Sequence, residues 1–227
     1  MPTIDIAKDG VRELNQRLQG LAAETNETSW EAINPHGAHA VAVGLMAPIL
    51  VEIKGHVGYY CAGMNKEATV VIEGHASQGV GENIMSGMVR VMGNASMAAG
   101  ASGHGGMVVV EGDTSSRCGI SMKGVDIVVG GSVGHMSGFM AQAGNLVICG
   151  DAGADLGDSI YEAVIYVAGD VKSLGSDCIE KDMTPEHIAK LTELLDRAEI
   201  KADVTKFRRF GSARKLYNFK IDNAAAY

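Results

Sequence analysis

The stretch MVRVMGNASMAAGASGHGGMVVVEG, residues 88–112, contains one full unit of an internal repeat. Each end of this unit is an aliphatic segment that leads to a glycine, and these two glycines, Gly93 and Gly112, lie 19 residues apart. The spacing continues without a break in both directions and defines seven ladder glycines: Gly55, Gly74, Gly93, Gly112, Gly131, Gly150 and Gly169. A fixed period of this kind is typical of proteins in which each repeat stacks on its neighbours.

Two aliphatic columns keep the same register as the ladder glycines. Four residues before each glycine stand Val51, Val70, Val89, Val108, Ile127, Leu146 and Ile165, and two residues before stand Ile53, Ile72, Val91, Val110, Val129, Ile148 and Val167. Because alternate strand residues point to opposite faces, the two columns share one face, which we expect to form the core. The pattern predicts an all-β fold, a right-handed parallel β-helix of seven coils with helical flanks at both ends.

A second glycine column follows seven residues after the ladder glycines. We call its members the corner glycines: Gly81, Gly100, Gly119, Gly138 and Gly157. We expect glycines of both columns to form sharp corners with positive φ, because glycine has no Cβ to clash there. The loops at 79–81 and 103–106 resemble phosphate loops only superficially, since a dinucleotide site needs a following helix and here another strand is predicted.

The repeat divides the chain into three parts. Residues 1–50 form a helical or irregular capping segment, residues 51–172 the glycine-repeat β-helix, and residues 173–227 a C-terminal helix and a basic aromatic tail. Apolar stripes at helical spacing mark both flanks: Val11, Leu14, Leu18 and Leu21 before the coils, and Ile188, Leu191, Leu195 and Ala198 after them. We expect these helices to cap the β-helix, because an exposed terminal rung invites further strand pairing.

The residues three before each ladder glycine should point outward. This outward column reads Glu52, Val71, Arg90, Val109, Val128, Val147 and Tyr166. Five of the seven are apolar or aromatic, and an apolar ridge of this kind needs a cover. Either the terminal helices or a partner protein would provide it, so the sequence proposes a candidate partner interface: Val71, Val109, Val128, Val147 and Tyr166.

The tail at residues 206–220 combines Lys and Arg with aromatic residues and contains no acid. Such a composition can indicate nucleic-acid binding, but the net charge of −8 disfavours that partner. We expect an anchoring arm for a partner subunit, with Arg208, Arg209 and Phe210 as anchors, because Arg and aromatic residues are favoured at interfaces. A merely solvated tail is the alternative.

No catalytic, cofactor-binding or metal-binding residue is predicted in this chain. The seven histidines show no H-E-x-x-H spacing, no G-x-S-x-G motif occurs, and the four cysteines form no C-x-x-C pair. His56 and His75 each follow a ladder glycine and are interpreted as repeat positions rather than active-site residues. The longest apolar run, residues 40–51, is too short to span a bilayer, and no secretory signal is evident, so we expect a cytoplasmic protein.

The coils resemble a known domain. The segments GHVGYYCAGMN at 55–65, SGHGG at 102–106, RCGISMKG at 117–124 and GDAG at 150–153 are similar to the GXGXG domain that ends the large subunit of glutamate synthase. The resemblance covers roughly residues 51–170. As a free-standing chain, the protein resembles the β-helix subunit of the N-methylglutamate synthase family.

That resemblance implies a hetero-oligomer. Its partners would be an amidotransferase-like subunit and an FMN-binding, glutamate-synthase-like subunit that also carries iron–sulfur clusters. The family reaction converts methylamine and L-glutamate to N-methyl-L-glutamate and ammonia, and the β-helix supplies no catalytic group or cofactor ligand. Neither nucleic acid nor membrane is an expected partner.

Other assignments remain open at this stage. The same glycine repeat occurs in one of the subunits of formylmethanofuran dehydrogenase, within its formyltransferase complex, and in a separate GXGXG subunit of an ordinary glutamate synthase. The segments at 59–61 and 123–124 favour the glutamate-synthase side. A polysaccharide-active β-helix enzyme would show a groove of clustered carboxylates, which the sequence lacks, and a hexapeptide-repeat acyltransferase would have a period of six.

Overall fold

A computed structural model describes residues 1–213, and residues 214–227 of the predicted tail lie outside the described part. The described residues form one eleven-stranded sheet and two α-helices. In chain order the elements are β1 (Thr3–Asp5), α1 (Ile6–Gln19), β2 (Ser29–Ile33), β3 (Leu50–Lys54), β4 (Thr69–Ile72), β5 (Met88–Val91), β6 (Met107–Val110), β7 (Lys123–Val129), β8 (Ala143–Ile148), β9 (Val164–Val167), β10 (Cys178–Lys181), α2 (Pro185–Arg197), a short 3₁₀ helix (Val204–Lys206) and β11 (Arg208–Ser212).

Strands β1 to β9 pair in parallel, each with the next in the chain. Val51 pairs with Val70, Val70 with Val89 and Val89 with Val108, so the register advances by the 19 residues of the repeat. All fourteen residues of the two aliphatic columns have no exposed surface. The predicted parallel β-helix and its core are therefore confirmed.

The ladder of strands begins before the predicted start of the repeat. Strands β1 and β2 lie within residues 1–50, and Trp30 pairs with Val51 at an offset of 21 residues instead of 19. Asn34, with a φ of 55°, stands where a ladder glycine would be expected. The longer first coil and its missing glycine hide this repeat from a search at a fixed period.

The two glycine columns are required for different reasons. The corner glycines have φ between 65° and 71°, as predicted. Of the ladder glycines, however, only Gly55 has a positive φ, so the predicted reason is wrong for the other six. A Cβ built on Gly74 would lie 2.7 Å from the carbonyl carbon of Gly55 in the coil below. These glycines are needed because successive coils approach too closely for a side chain.

Different elements close the two ends of the β-helix. Helix α1 is capped by Asp5, whose carboxylate accepts a hydrogen bond from the N–H of Ala7, and it buries Leu14 and Leu18 in the main core. At the other end β11 pairs antiparallel with both β9 and β10. Helix α2 lies against the outer face of the sheet, where its Leu191, Leu194 and Leu195 are buried.

Candidate interaction surfaces

The residues that directly follow the ladder glycines form a column of hydrogen bonds along the β-helix. The N–H of His75 donates to Nδ1 of His56 at 2.9 Å, and the N–H of Asn94 donates to Nδ1 of His75 at 2.8 Å. The column continues through the side chains of Asn94, Asp113, Ser132 and Asp151 at 2.7–3.0 Å. His56 and His75 therefore occupy a structural repeat position, as the sequence indicated.

The four thiols are not activated. All are free, and Cys61, Cys118 and Cys178 are buried. Burial raises the pKa of Cys118 and Cys178 to about 12 and that of Cys149 to about 11, and it raises the pKa of Cys61 further still. Such thiols stay protonated at neutral pH and are poor nucleophiles. Within residues 1–213, His, Cys, Asp and Glu form no group of three that could hold a metal ion.

Most of the predicted outward ridge is covered by the chain itself. Val109, Val128, Val147 and Tyr166 have no exposed surface and form a second core with α2 and Phe207. These four residues are therefore not a free surface for a partner, and the partner-interface prediction is wrong for them. Val71 lies beyond the end of α2 and remains partly exposed.

Arg90 marks the border of the covered region. Its guanidinium donates to the carbonyl oxygen of Ala198, the C-cap of α2, at 2.7 Å, and to the carboxylate of Glu111 at 2.9 Å. The open part of the same face, on β3 and β4, carries the partly exposed Leu50 and Val71 beside Glu52 and Lys54. The sheet thus has one outer face with two different environments.

The anchors proposed in the tail belong to the fold. Arg208, Arg209 and Phe210 lie in β11, and Phe210 is only 2% exposed in the main core. Arg208 donates to the carbonyl oxygen of Gly169 at 3.0 Å, and Arg209 donates to that of Asp182 at 2.8 Å. The assignment of Phe210 to a partner is therefore wrong, because a phenyl ring at this position closes the last rung. Deleting the chain from Lys206 onward would remove part of the core.

Sequence reasoning missed a surface of exposed tyrosine and methionine side chains. We call it the Tyr–Met surface; its members are 37–57% exposed and are Met46, Tyr59, Tyr60, Met64, Met85 and Met97. Hydrogen bonds join the coils that carry them: Tyr60 N–H donates to Gln78 O at 2.9 Å, and Met85 N–H donates to Asn65 O at 2.8 Å. The signal was present in the repeat, because the coils above place the small residues Gly79 and Ala98 in register with Tyr60.

Two members of this surface adopt an unfavourable backbone conformation. Tyr60 and Met64 have φ of 59° and 55°, in the left-handed region that bulky residues rarely adopt. In the next coil the matching positions hold Gly79 and Asn83, which accept this conformation more readily. This conformation belongs to the repeat, since Met136 and Met140 adopt it at the same positions of later coils.

Stacked parallel coils, a continuous aliphatic core and closely packed ladder glycines define the class of this molecule as a parallel β-helix protein. No protein-family model matches the chain. The chain is 64% identical over 229 residues to Protein GlxC of Rhizobium meliloti (strain 1021), and the alignment covers 100% of each. The chain therefore belongs to the GlxC family. Neither helix in residues 1–213 is long and apolar enough to span a membrane.

Proposed function

We propose that this chain is the non-catalytic β-helix subunit of a glutamate-synthase-like complex, and that the complex is an N-methylglutamate synthase of the cytoplasm. The complex converts methylamine and L-glutamate to N-methyl-L-glutamate and ammonia. In this proposal an FMN-binding partner also carries the iron–sulfur clusters, and an amidotransferase-like subunit is the second partner. The proposal is supported by the resemblance of the coils to the GXGXG domain and by the Tyr–Met surface.

The Tyr–Met surface is the observation that carries the proposal. Its six members are each 37–57% exposed, and Tyr and Met are enriched at protein interfaces. The occupant we propose is one of the two partner subunits.

The β-helix suits a supporting role. Its coils are joined by backbone hydrogen bonds from one to the next, His56 and His75 occupy structural repeat positions, and burial keeps the thiols protonated. Rigid stacked coils hold a binding surface in a fixed shape, which reduces the entropy lost on association. The chain therefore acts by positioning its partners rather than by reacting with substrate.

The proposal is tested by reconstitution. The full chain is mixed with its amidotransferase-like and flavin-binding partners, and the mass of the assembly and the formation of N-methyl-L-glutamate are measured. Met64→Glu places a charge in the Tyr–Met surface, and we expect it to weaken assembly by about 10-fold or more, since a central interface residue contributes about 1–2 kcal/mol. Turnover should fall with assembly and recover at high protein concentration.

Met140→Glu is the matched control. Met140 occupies the same repeat position four coils further on, with a similar φ of 51°, and lies outside the Tyr–Met surface. We expect this variant to assemble normally. Equal assembly of both variants would refute docking at the Tyr–Met surface. A pterin-containing partner in place of a flavoprotein would refute the glutamate-synthase assignment, and lost turnover in an intact assembly would refute the non-catalytic role.

A further inference from the structure

A pocket lies at the C-terminal end of the β-helix, between β9, β11 and the first turn of α2. It has a volume of about 230 Å³, and its lining includes Glu162, Lys181, His187, Arg209 and Phe210. This volume is suited to a molecule of the size of an amino acid or a dicarboxylic acid. The Tyr–Met surface lies on the first coils, at the opposite end of the β-helix.

The pocket carries two basic side chains, Lys181 and Arg209, and one acidic side chain, Glu162. Lys181 of β10 and Arg209 of β11 are directly paired across the antiparallel strands, so their side chains leave the same face of the sheet. Like charges in directly opposed positions repel each other. Within residues 1–213 neither side chain has a carboxylate within ion-pair distance; Arg209 donates instead to the backbone oxygen of Asp182. A bound anion would relieve this repulsion.

Two further residues complete the site. Arg209 pairs on its other side with Tyr166, whose hydroxyl lies 2.9 Å from Nδ1 of His187. Burial raises the pKa of Tyr166 to about 12, so its phenol stays protonated and able to donate. Burial, assisted by Arg209, lowers the pKa of His187, which keeps its ring neutral at neutral pH. When the phenol donates to Nδ1, the ring proton lies on Nε2 as a further donor.

We propose that this pocket binds a small organic acid through its carboxylate groups, with Lys181 and Arg209 as the charged donors and His187 as a neutral one. The planar guanidinium of Arg209 matches the two oxygens of a carboxylate, and the ammonium of Lys181 adds a compact charge beside it. The proposal concerns the isolated chain and does not depend on the function of any complex.

The test is isothermal titration calorimetry of the full chain at low ionic strength. Succinate and L-glutamate are the probes, with L-glutamine and inorganic phosphate for comparison. We expect saturable binding of one dicarboxylate, weakened about 10-fold or more in Lys181→Gln, because charge-assisted hydrogen bonds contribute about 1.5–3 kcal/mol. Lys172→Gln removes an exposed lysine outside the pocket lining and should leave the affinity unchanged.

Thermal unfolding supplies an independent measurement. Removal of one of two repelling charges should raise the unfolding temperature of ligand-free Lys181→Gln, whereas the same variant should lose the stabilisation that the acid gives the parent protein. A purely structural lysine would not produce these opposite effects. The proposal is overturned if no dicarboxylate binds up to roughly 20 mM, well above a millimolar Kd, if phosphate binds in their place, or if the Lys181 and Lys172 variants behave alike.

Discussion

The outer face of the sheet has a covered half, on β6 to β9, and an open half, on β3 and β4. In the covered half the outward column holds Val109, Val128, Val147 and Tyr166, all buried under α2 and Phe207. In the open half the same column holds Glu52 and the partly exposed Val71. The comparison shows that the outward column is apolar throughout where α2 packs over it. Where no element of residues 1–213 packs over it, the column mixes charged and apolar residues.

The largest expected difference between the two halves concerns a buried charge. Val128→Asp should lower the free energy of unfolding by about 4 kcal/mol or more, because it leaves an unpaired carboxylate between the sheet and α2. Val71→Asp makes the same chemical change in the open half, where Arg90 is its cross-strand neighbour, and should lower it by less than about 1 kcal/mol. Urea unfolding monitored by circular dichroism measures both. Equal losses would show that α2 does not cover the ridge in solution.

A substitution at Arg90, on the border between the two halves, should have an intermediate effect on the free energy of unfolding. Arg90→Met keeps the apolar stem but removes the hydrogen bond to Ala198 O and the ion pair with Glu111. We expect a loss of about 1–2 kcal/mol in the free energy of unfolding and faster amide exchange in the last turn of α2. Arg197→Met removes a more exposed arginine, which lies on α2 itself, and should reduce stability by less than about 1 kcal/mol. If the ranking is reversed, Arg90 does not hold the end of α2.

A smaller effect is expected on the pH dependence of stability, and it should arise in the covered half. His187 lies on α2, and burial, assisted by Arg209, lowers its pKa in the folded protein. The unfolded chain takes up the proton at higher pH, so the stability associated with His187 is present above the ordinary histidine pKa and is lost as pH falls through it. His187→Gln should therefore reduce the fall in unfolding temperature between pH 7.5 and pH 5.5. His104→Gln, at an exposed position, is the control, and an unchanged fall in His187→Gln would contradict the prediction.

The sequence predicted the role of a residue correctly where the geometry of a single coil determines that residue's environment. Val110 and Ile127 are core residues because strand alternation places them inward in every coil, and Gly119 needs a positive φ because each coil turns there. Prediction failed at Gly93, where the close neighbour is the coil below, and at Trp30, whose coil departs from the 19-residue period. Spacing along the chain reveals neither how closely two stacked coils approach each other nor which coil departs from the period.

Prediction of the candidate sites was limited in the same way, by contacts that the spacing along the chain does not reveal. Arg209 and Phe210 were recognised as unusual, but their partners lie 28 to 45 residues away in sequence, at Lys181 and Ile165. The Tyr–Met surface could have been found by comparing Tyr60 with Gly79 and Ala98 at the same position of the next two coils, whereas the pocket could not, because it depends on where the non-repeating strand β11 inserts.

By itself, the sequence determined the period, the inward columns and the corner glycines, since these follow from backbone geometry that repeats every 19 residues. Only the tertiary structure decided which outward residues are buried, where β11 closes the last rung and how Lys181 meets Arg209. The physical reason is that a repeat constrains each coil relative to its neighbours, while the docking of α2 and β11 is a long-range event governed by burial of apolar surface and by no period.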